Sequence, residues 1–382
     1  MFVLLFTIFI DLVGFAIVFP ILPFLAQQYG ADARLVTLLI AVYSALQIVG
    51  APVWGRVSDH FGRKRVLLLT LAGGGLGYLW FGLAGSLTGL FLARAFGGAM
   101  AGNVAVAQAY LADLTTPEER SAAMAKIGAA FGLAFVVGPG LGGVLAGADP
   151  EAPNFLLPCL VAAGLSFAAC LLGLVILREP ARHSESAGPP SMAEVMAALE
   201  RRRIFGLVAL MAIVSLVFSM AMAIYPLWLD ARFGWGPREV GYVFTLIGLA
   251  VTVIQGGLIG PLTRLVGDWW GLAIGAAALV AALAMVSAIS ATPGLVLHVV
   301  ALCLGISLCN PILTGLVSKA TKAEHQGATL GLASAGTGSG RIAGPLLSGA
   351  LFAGLGADWP LLVGAALILP VLLGGLWMAL RE

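Results

Sequence analysis

Charge is scarce in this chain. Of 382 residues, 20 are Lys or Arg and 18 are Asp or Glu, 10% in all, where soluble domains run near a quarter. The formal net charge of +2 gives no footprint for nucleic acid. Cysteine is equally thin. Cys159, Cys170, Cys303 and Cys309 all lie in apolar runs, with neither metal-type spacing nor a disulfide pattern, so they read as small packing residues. No metal or cofactor is implied. The phosphate-cradling pattern G-x-x-x-x-G-K-[ST] is absent, which excludes the common ATP-binding loop. No hydrolase, kinase or signalling constellation appears, so the chain is not expected to be an enzyme. The first apolar run continues to about residue 27 without a basic start or a small-residue cleavage site, which predicts a span and not a cleaved signal.

What is abundant is apolar: 60% of the residues. A helix that crosses a membrane needs about 20 such residues. Runs of that length occur twelve times, at about 2–27, 34–54, 66–84, 88–112, 120–146, 154–177, 204–229, 238–260, 272–290, 294–318, 326–354 and 359–380. The fold class is therefore an all-α membrane protein of twelve spans. Lys and Arg fix its expected orientation. One side collects Arg56, Arg63, Lys64, Arg65, Arg120, Lys126, Arg178, Arg182, Arg201, Arg202, Arg203, Arg264, Lys319, Lys322 and Arg381. The other collects Arg34, Arg232 and Arg238. Fifteen against three puts both termini in the cytoplasm.

The longest polar segment is 178–203. It reads as a cytoplasmic linker between two bundles, 1–177 and 204–382. Its second part, 191–203, could lie on the membrane surface as a short amphipathic helix ending in Arg201–Arg203. The two bundles repeat. Gly55–Arg65 maps onto Gly260–Trp270 at a spacing of 205. Phe19-Pro20 maps onto Tyr225-Pro226, and Gly138-Pro139 onto Gly344-Pro345, both at 206. Such internal symmetry argues for a central site between two six-helix halves.

The link after the second span reads Gly55-Arg56-Val57-Ser58-Asp59-His60-Phe61-Gly62-Arg63-Lys64-Arg65. Basic residues alone would follow from topology, but Asp59 would not. It can accept from the N-terminus of a neighbouring helix or pair with Arg63, and Asp113 is a plausible third member. The order G-x-x-x-D-x-x-G-R-x-R resembles the cytoplasmic signature of the major facilitator superfamily, and the resemblance covers the whole chain. It implies twelve-helix transporters working by alternating access, with Gly55, Asp59, Gly62, Arg63, Arg65 and Asp113 forming a cytoplasmic gate. Arg94-Ala95-Phe96-Gly97-Gly98 in the fourth span looks like the family's second motif. The fifth span, with Gly132 and then Gly138, Pro139, Gly142 and Gly143, resembles the motif of its proton-coupled antiporters. Ordinary small-residue packing is the alternative there.

Asp11 is the one acidic residue of the first span, and Arg94 sits within the fourth. Ionisable groups at membrane depth are costly and functional by default. The pair reads either as a structural ion pair or as a proton carrier tuned by a cation. Tyr43, Gln47, Asn103, Gln108, Gln255, Asn310 and Arg341 are candidates for the substrate cavity. The polar ones could equally bond between helices, and Arg341 could snorkel. His298 is expected at the membrane interface, and Phe and Met of the seventh and tenth spans could line a greasy pocket.

Within the superfamily the chain looks most like the tetracycline/proton antiporters of the drug-proton branch. Asp11-Leu12-Val13-Gly14 with Pro20 and Pro23, Tyr43 with Gln47, Arg232-Phe233-Gly234-Trp235 and Gln326-Gly327-Ala328 carry that likeness. The resemblance implies proton-coupled export of a lipophilic or amphipathic small molecule from a bacterial inner membrane, by a protein surrounded by lipid and acting as a monomer. The chain departs from those antiporters where Gly77 stands for an Asp, where 272–289 lacks any acidic residue, and where Val253 stands near a His. Export of a lipid or anionic metabolite, or facilitation without a proton, therefore stays open.

Overall fold

The computed structural model describes residues 1–147, 149, 153–180, 202–321 and 326–381. Among them there is no β-strand. The helices are α1 Phe2–Gln28, α2 Ala33–Phe61, α3 Arg63–Leu83, α4 Leu87–Met100, α5 Asn103–Asp113, α6 Pro117–Ala146 and α7 Leu156–Ile176. They continue as α8 Arg202–Phe233, α9 Pro237–Val253, α10 Ile259–Ala284, α11 Thr292–Ala320, α12 Gln326–Leu355 and α13 Trp359–Ala379. Most of the expected surface helix, 191–201, lies outside the described residues, as do Arg182 and Lys322.

A helix satisfies its own backbone, which is why apolar runs in lipid adopt it. Among the described residues ten helices are long and apolar enough to span a membrane. One of them is the 52-residue stretch Pro237–Ala288, about 78 Å at the helical rise and long enough for two crossings. α12, with 30 residues, has the length but is diluted by Gly and Ser. The set is consistent with twelve crossings. Large apolar side chains such as Leu171, Val175, Leu297 and Leu373 stand on the outer surface, where only lipid would favour them.

Three expected boundaries change. The polar stretch 55–65 is not a loop: α2 runs through it to Phe61, and α3 starts at Arg63. The whole turn is Gly62, at φ 99°, a backbone region open to glycine. The expected link at 261–271 is likewise helical, broken at Gly267 with φ 82°. Gly62 and Gly267 are 205 residues apart, so the repeat seen in the sequence is also a repeat of backbone conformation. The fourth span, in contrast, is split in two at Ala101-Gly102.

The chain divides into two compact units, Met1–Glu185 with Leu229–Leu249, and Ser186–Trp228 with Ala250–Glu382. In the first, α1 packs on α6 and α7, α3 on α4 and α7, and α2 on α4. Glycine sets the closeness of α1 to α6. A Cβ at Gly138 would lie 2.4 Å from the Ala16 Cβ, and one at Gly142 only 2.2 Å from the Ile17 carbonyl. In the second unit α10 packs on α11 and α13. There α12 meets α8 in the same way: a Cβ at Gly344 would lie 2.5 Å from the Leu216 carbonyl.

Candidate functional site

In α1, Asp11 is only 3% exposed. Its Oδ2 accepts from the Asn103 side-chain amide at the start of α5, and its Oδ1 lies 2.5 Å from the Ser166 hydroxyl of α7. Gly74 of α3 lies beside the carboxylate, where a Cβ would sit in ordinary contact, 3.9 Å from Oδ1. Asn103 reaches Asp11 because the fourth span breaks just before it. Trp54 fills that break: its indole N–H donates to the Ala99 carbonyl at 2.7 Å, and a Cβ at Gly102 would lie 2.5 Å from Trp54.

Arg94, 7% exposed, makes no ion pair with Asp11, the structural one of the two readings the sequence left open. Its guanidinium carbon sits 4.3 Å from the centre of the Tyr43 ring and 5.7 Å from that of Phe81, while its Nε has no hydrogen-bond partner. Aromatic faces attract a desolvated cation by about 2 kcal/mol, which offsets part of its burial cost. The Gly97-Gly98 pair explains the geometry. A Cβ at Gly98 would lie 2.5 Å from the Tyr43 carbonyl, so glycine there lets α2 bring Tyr43 under Arg94. Tyr78 lies within electrostatic reach of both Asp11 and Arg94.

Tyr43 also opens an aromatic row. Phe15 lies 5.8 Å from it, Phe135 6.3 Å from Phe15, Phe19 6.2 Å from Phe135, and Phe244 5.4 Å from Phe19. Phe15, Phe19 and Phe135 are half-buried. The sequence pointed to other helices for apolar lining. No periodicity marks these rings, because they come from α1, α2, α6 and α9.

At the end of this unit that carries Gly62, residues of the Gly55–Arg65 motif meet Asp113 around Arg63. Its Nε donates to Asp113 at 2.8 Å, and its Nη1 reaches Asp59 at 2.6 Å, Ser58 at 2.6 Å and the Gly55 carbonyl at 3.5 Å. Arg65 is exposed and stands outside this cluster. The N-terminus of α3 is capped by Glu179 and not by Asp59: its carboxylate accepts from the backbone N–H of Arg63 and, at 3.1 Å, of Lys64. Ser58 and Glu179 were missed, because neither stands at a motif position.

The glycines of the fifth span lie in α6 with Pro139 inside the helix. Gly132 falls in its middle. Gly143 and Gly241 meet face to face between α6 and α9. A Cβ on Gly143 would lie 2.7 Å from the Pro237 carbonyl, and one on Gly241 2.5 Å from the Pro139 carbonyl. Close packing of α6 on both sides is thus built into this motif.

The other polar candidates are dispersed. Gln47 is half-buried and Gln108 exposed in the first unit. In the second, Asn310 is half-buried, Arg341 exposed, and Gln255 exposed on a π-helical turn, Ile254–Leu258. His298, near the start of α11, is fully buried. Its Nδ1 is 2.8 Å from the Ala282 carbonyl, and its ring lies 5.7 Å from Tyr225 and 5.9 Å from Trp228.

The family model described as Major Facilitator Superfamily matches residues 4–309 and 207–382. The chain is 30% identical over 391 residues to the class C tetracycline resistance protein of Escherichia coli, covering 98% of this chain and 96% of that one. It is 29% identical over 392 residues to multidrug resistance protein 2 of Bacillus subtilis (strain 168), covering 100% and 94%. In fold it matches the crystal structure of the nucleoside transporter NupG, with a TM-score of 0.78 at 14% identity over 99% and 98% of the two chains. An all-helical architecture consistent with twelve spans, the motif residues gathered around Arg63 and full-length likeness agree, and the chain belongs to the Major Facilitator Superfamily.

Proposed function

We propose that this protein is a proton-coupled antiporter that exports a lipophilic or amphipathic small molecule, of the tetracycline or multidrug kind named for its relatives. The observation that carries the proposal is the setting of Asp11. A carboxylate locked to a guanidinium would stay ionised. Asp11 is held instead by two neutral groups, Asn103 and Ser166, whose hydrogen bonds favour the ionised form without the opposite charge that would lock it there. Proton and substrate then favour opposite states of one alternating-access cycle. The membrane potential supplies about 2.3 kcal/mol per charge per 100 mV.

Arg94 holds the local field, and the row from Tyr43 to Phe244 offers the apolar surface such a substrate needs. The Arg63 cluster closes the cytoplasmic side, with both termini cytoplasmic and 178–203 linking bundles 1–177 and 204–382. Gly77 argues against tetracycline itself. A Cβ there would already lie 3.2 Å from the Gly97 Cα, so a carboxylate at this position would press α3 and α4 apart. A second reading, export of an anionic metabolite or lipid, is favoured by the Arg94 Nε that no protein acceptor engages.

Proteoliposomes holding a pH-sensitive dye test both. Lipophilic cations, tetracyclines, lipids and organic anions would be added in turn to wild type and Asp11→Asn. The expected result is proton flux triggered by an amphipathic compound and lost in Asp11→Asn. Transport without proton movement, or a variant indistinguishable from wild type, would sink the coupled reading. Flux triggered only by anions would move the assignment to the second.

A further inference from the structure

We infer that Ser166 is the positioning residue that takes the coupling proton's place in the hydrogen-bond network: the proton settles on Asp11 Oδ1, and the Ser166 hydroxyl then turns from Asp11 to the Leu71 carbonyl of α3. The inference rests on Asp11 as the proton carrier.

Ser166 is fully buried in α7 and has two neighbours within bonding distance, Asp11 Oδ1 at 2.5 Å and the Leu71 carbonyl at 3.0 Å. A hydroxyl owns one hydrogen and can also accept. It therefore cannot donate to both oxygens at once. With Asp11 ionised, the hydrogen points at Oδ1, where a charged acceptor makes the stronger bond. With Oδ1 protonated, the new O–H donates to Ser166 Oγ, and the serine hydrogen is released to Leu71. One proton enters from water, one O–H bond forms on Oδ1, and the hydroxyl rotates without any other bond breaking.

The other oxygen is the poorer site. Oδ2 faces the Asn103 amide N–H, a donor that competes with a proton placed there. The remaining groups around Asp11 are fixed in kind. Tyr78 of α3 is close, Arg94 of α4 lies on Tyr43 of α2, and α6 presents Gly138 to this stretch of α1. None of these can both accept from Oδ1 and donate onward at the position Ser166 occupies.

The consequence reaches α3. A helical carbonyl already accepts from the residue four positions on, and a side-chain hydroxyl added to it loads and bends the helix. Leu71 lies two residues before the run Gly73, Gly74 and Gly75, and α3 begins at Arg63 of the proposed gate. Protonation in the middle of the unit is thereby felt by the helix that carries the gate.

The test is infrared difference spectroscopy of the reconstituted full chain between high and low pH, in ordinary and heavy water. The band to follow is the protonated carboxyl C=O stretch that disappears in Asp11→Asn. Ser166→Ala removes the acceptor of the Oδ1 proton, so the band is expected at higher wavenumber, while Ser166→Thr restores the wild-type position. Ser166→Cys, closer in volume and a weak acceptor, gives an intermediate shift and serves if the alanine variant does not fold. A band unmoved in Ser166→Ala or Ser166→Cys overturns the role of Ser166 and leaves Asp11 as carrier. A wild-type spectrum with no Asp11 band at any pH overturns the carrier assignment, and this inference with it.

Discussion

At the scale of single residues, the membrane imposes a rule the sequence already shows: a charge needs a partner. It does not say which. Arg94 finds its partner in the face of Tyr43, a group with no charge, and this was invisible to a search for acidic residues. Tyr43→Leu should therefore lower thermal stability, by roughly 1–2 kcal/mol of lost cation–π attraction, whereas Tyr43→Phe should keep most of it. Melting curves of the two variants in one detergent check this. Equal losses in both would show that the hydroxyl matters and the ring face does not. Asp11 and Arg94 were legible as candidates because ionisable residues in apolar runs stand out. Ser166 was not, since one serine in a helix carries no signal until its neighbours are known.

At the scale of elements, the break between α4 and α5 decides the site. Without it Asn103 would continue the α4 spiral. The freed Ala99 carbonyl accepts from Trp54, and an unsatisfied buried carbonyl costs about 1–3 kcal/mol. Trp54→Phe should thus speed amide exchange around 99–103 and loosen the contact of Asn103 with Asp11. Exchange rates equal to wild type would show the indole bond is dispensable. The contact of α1 with α6 makes a second case. Gly142→Ala places a methyl 2.2 Å from the backbone of Ile17, where a flexible side chain is not available to yield. Overpacking of this kind costs about 1–3 kcal/mol, and the variant is expected to lose both thermal stability and transport. The glycines were readable as a motif, but which helices they admit was not.

At the scale of the whole molecule, the repeat joins the two halves by rule and not by identity. In the first unit Arg63 pairs with Asp113. In the second, the positions one repeat later hold Asp268 and Lys319, which pair at 2.5 Å with the charges reversed. The turn before each pair is a glycine at positive φ, Gly62 and Gly267. Alanine at either turn is expected to cost about 1–3 kcal/mol through backbone strain. Gly62→Ala should be the worse, because its Cβ would also meet the Glu179 carboxylate at 2.9 Å. Melting temperatures of the two variants decide this, and the reverse order would show that the Glu179 cap yields freely. Reversing Asp59, Arg63 and Asp113 together (Asp59→Arg, Arg63→Asp, Asp113→Lys) should recover transport lost by any single reversal, since the second half carries Arg264, Asp268 and Lys319 at the matching positions; transport still absent in the triple variant would show that the signs are not interchangeable.

The sequence alone determined the membrane class, the twelve spans, the period of the repeat and the residues where ionisable groups enter the bilayer. Each follows from a one-dimensional cost: the burial of charge, the length of an apolar run, or the recurrence of Gly and Pro at a fixed spacing. The tertiary structure alone decided that Asp11 faces Asn103 and Ser166, that Arg94 lies on Tyr43, that Glu179 caps α3, and that His298 is buried. Those depend on how far each helix is rotated about its axis and where it breaks. Rotation is set by packing against several neighbours at once, and no single stretch of sequence contains it.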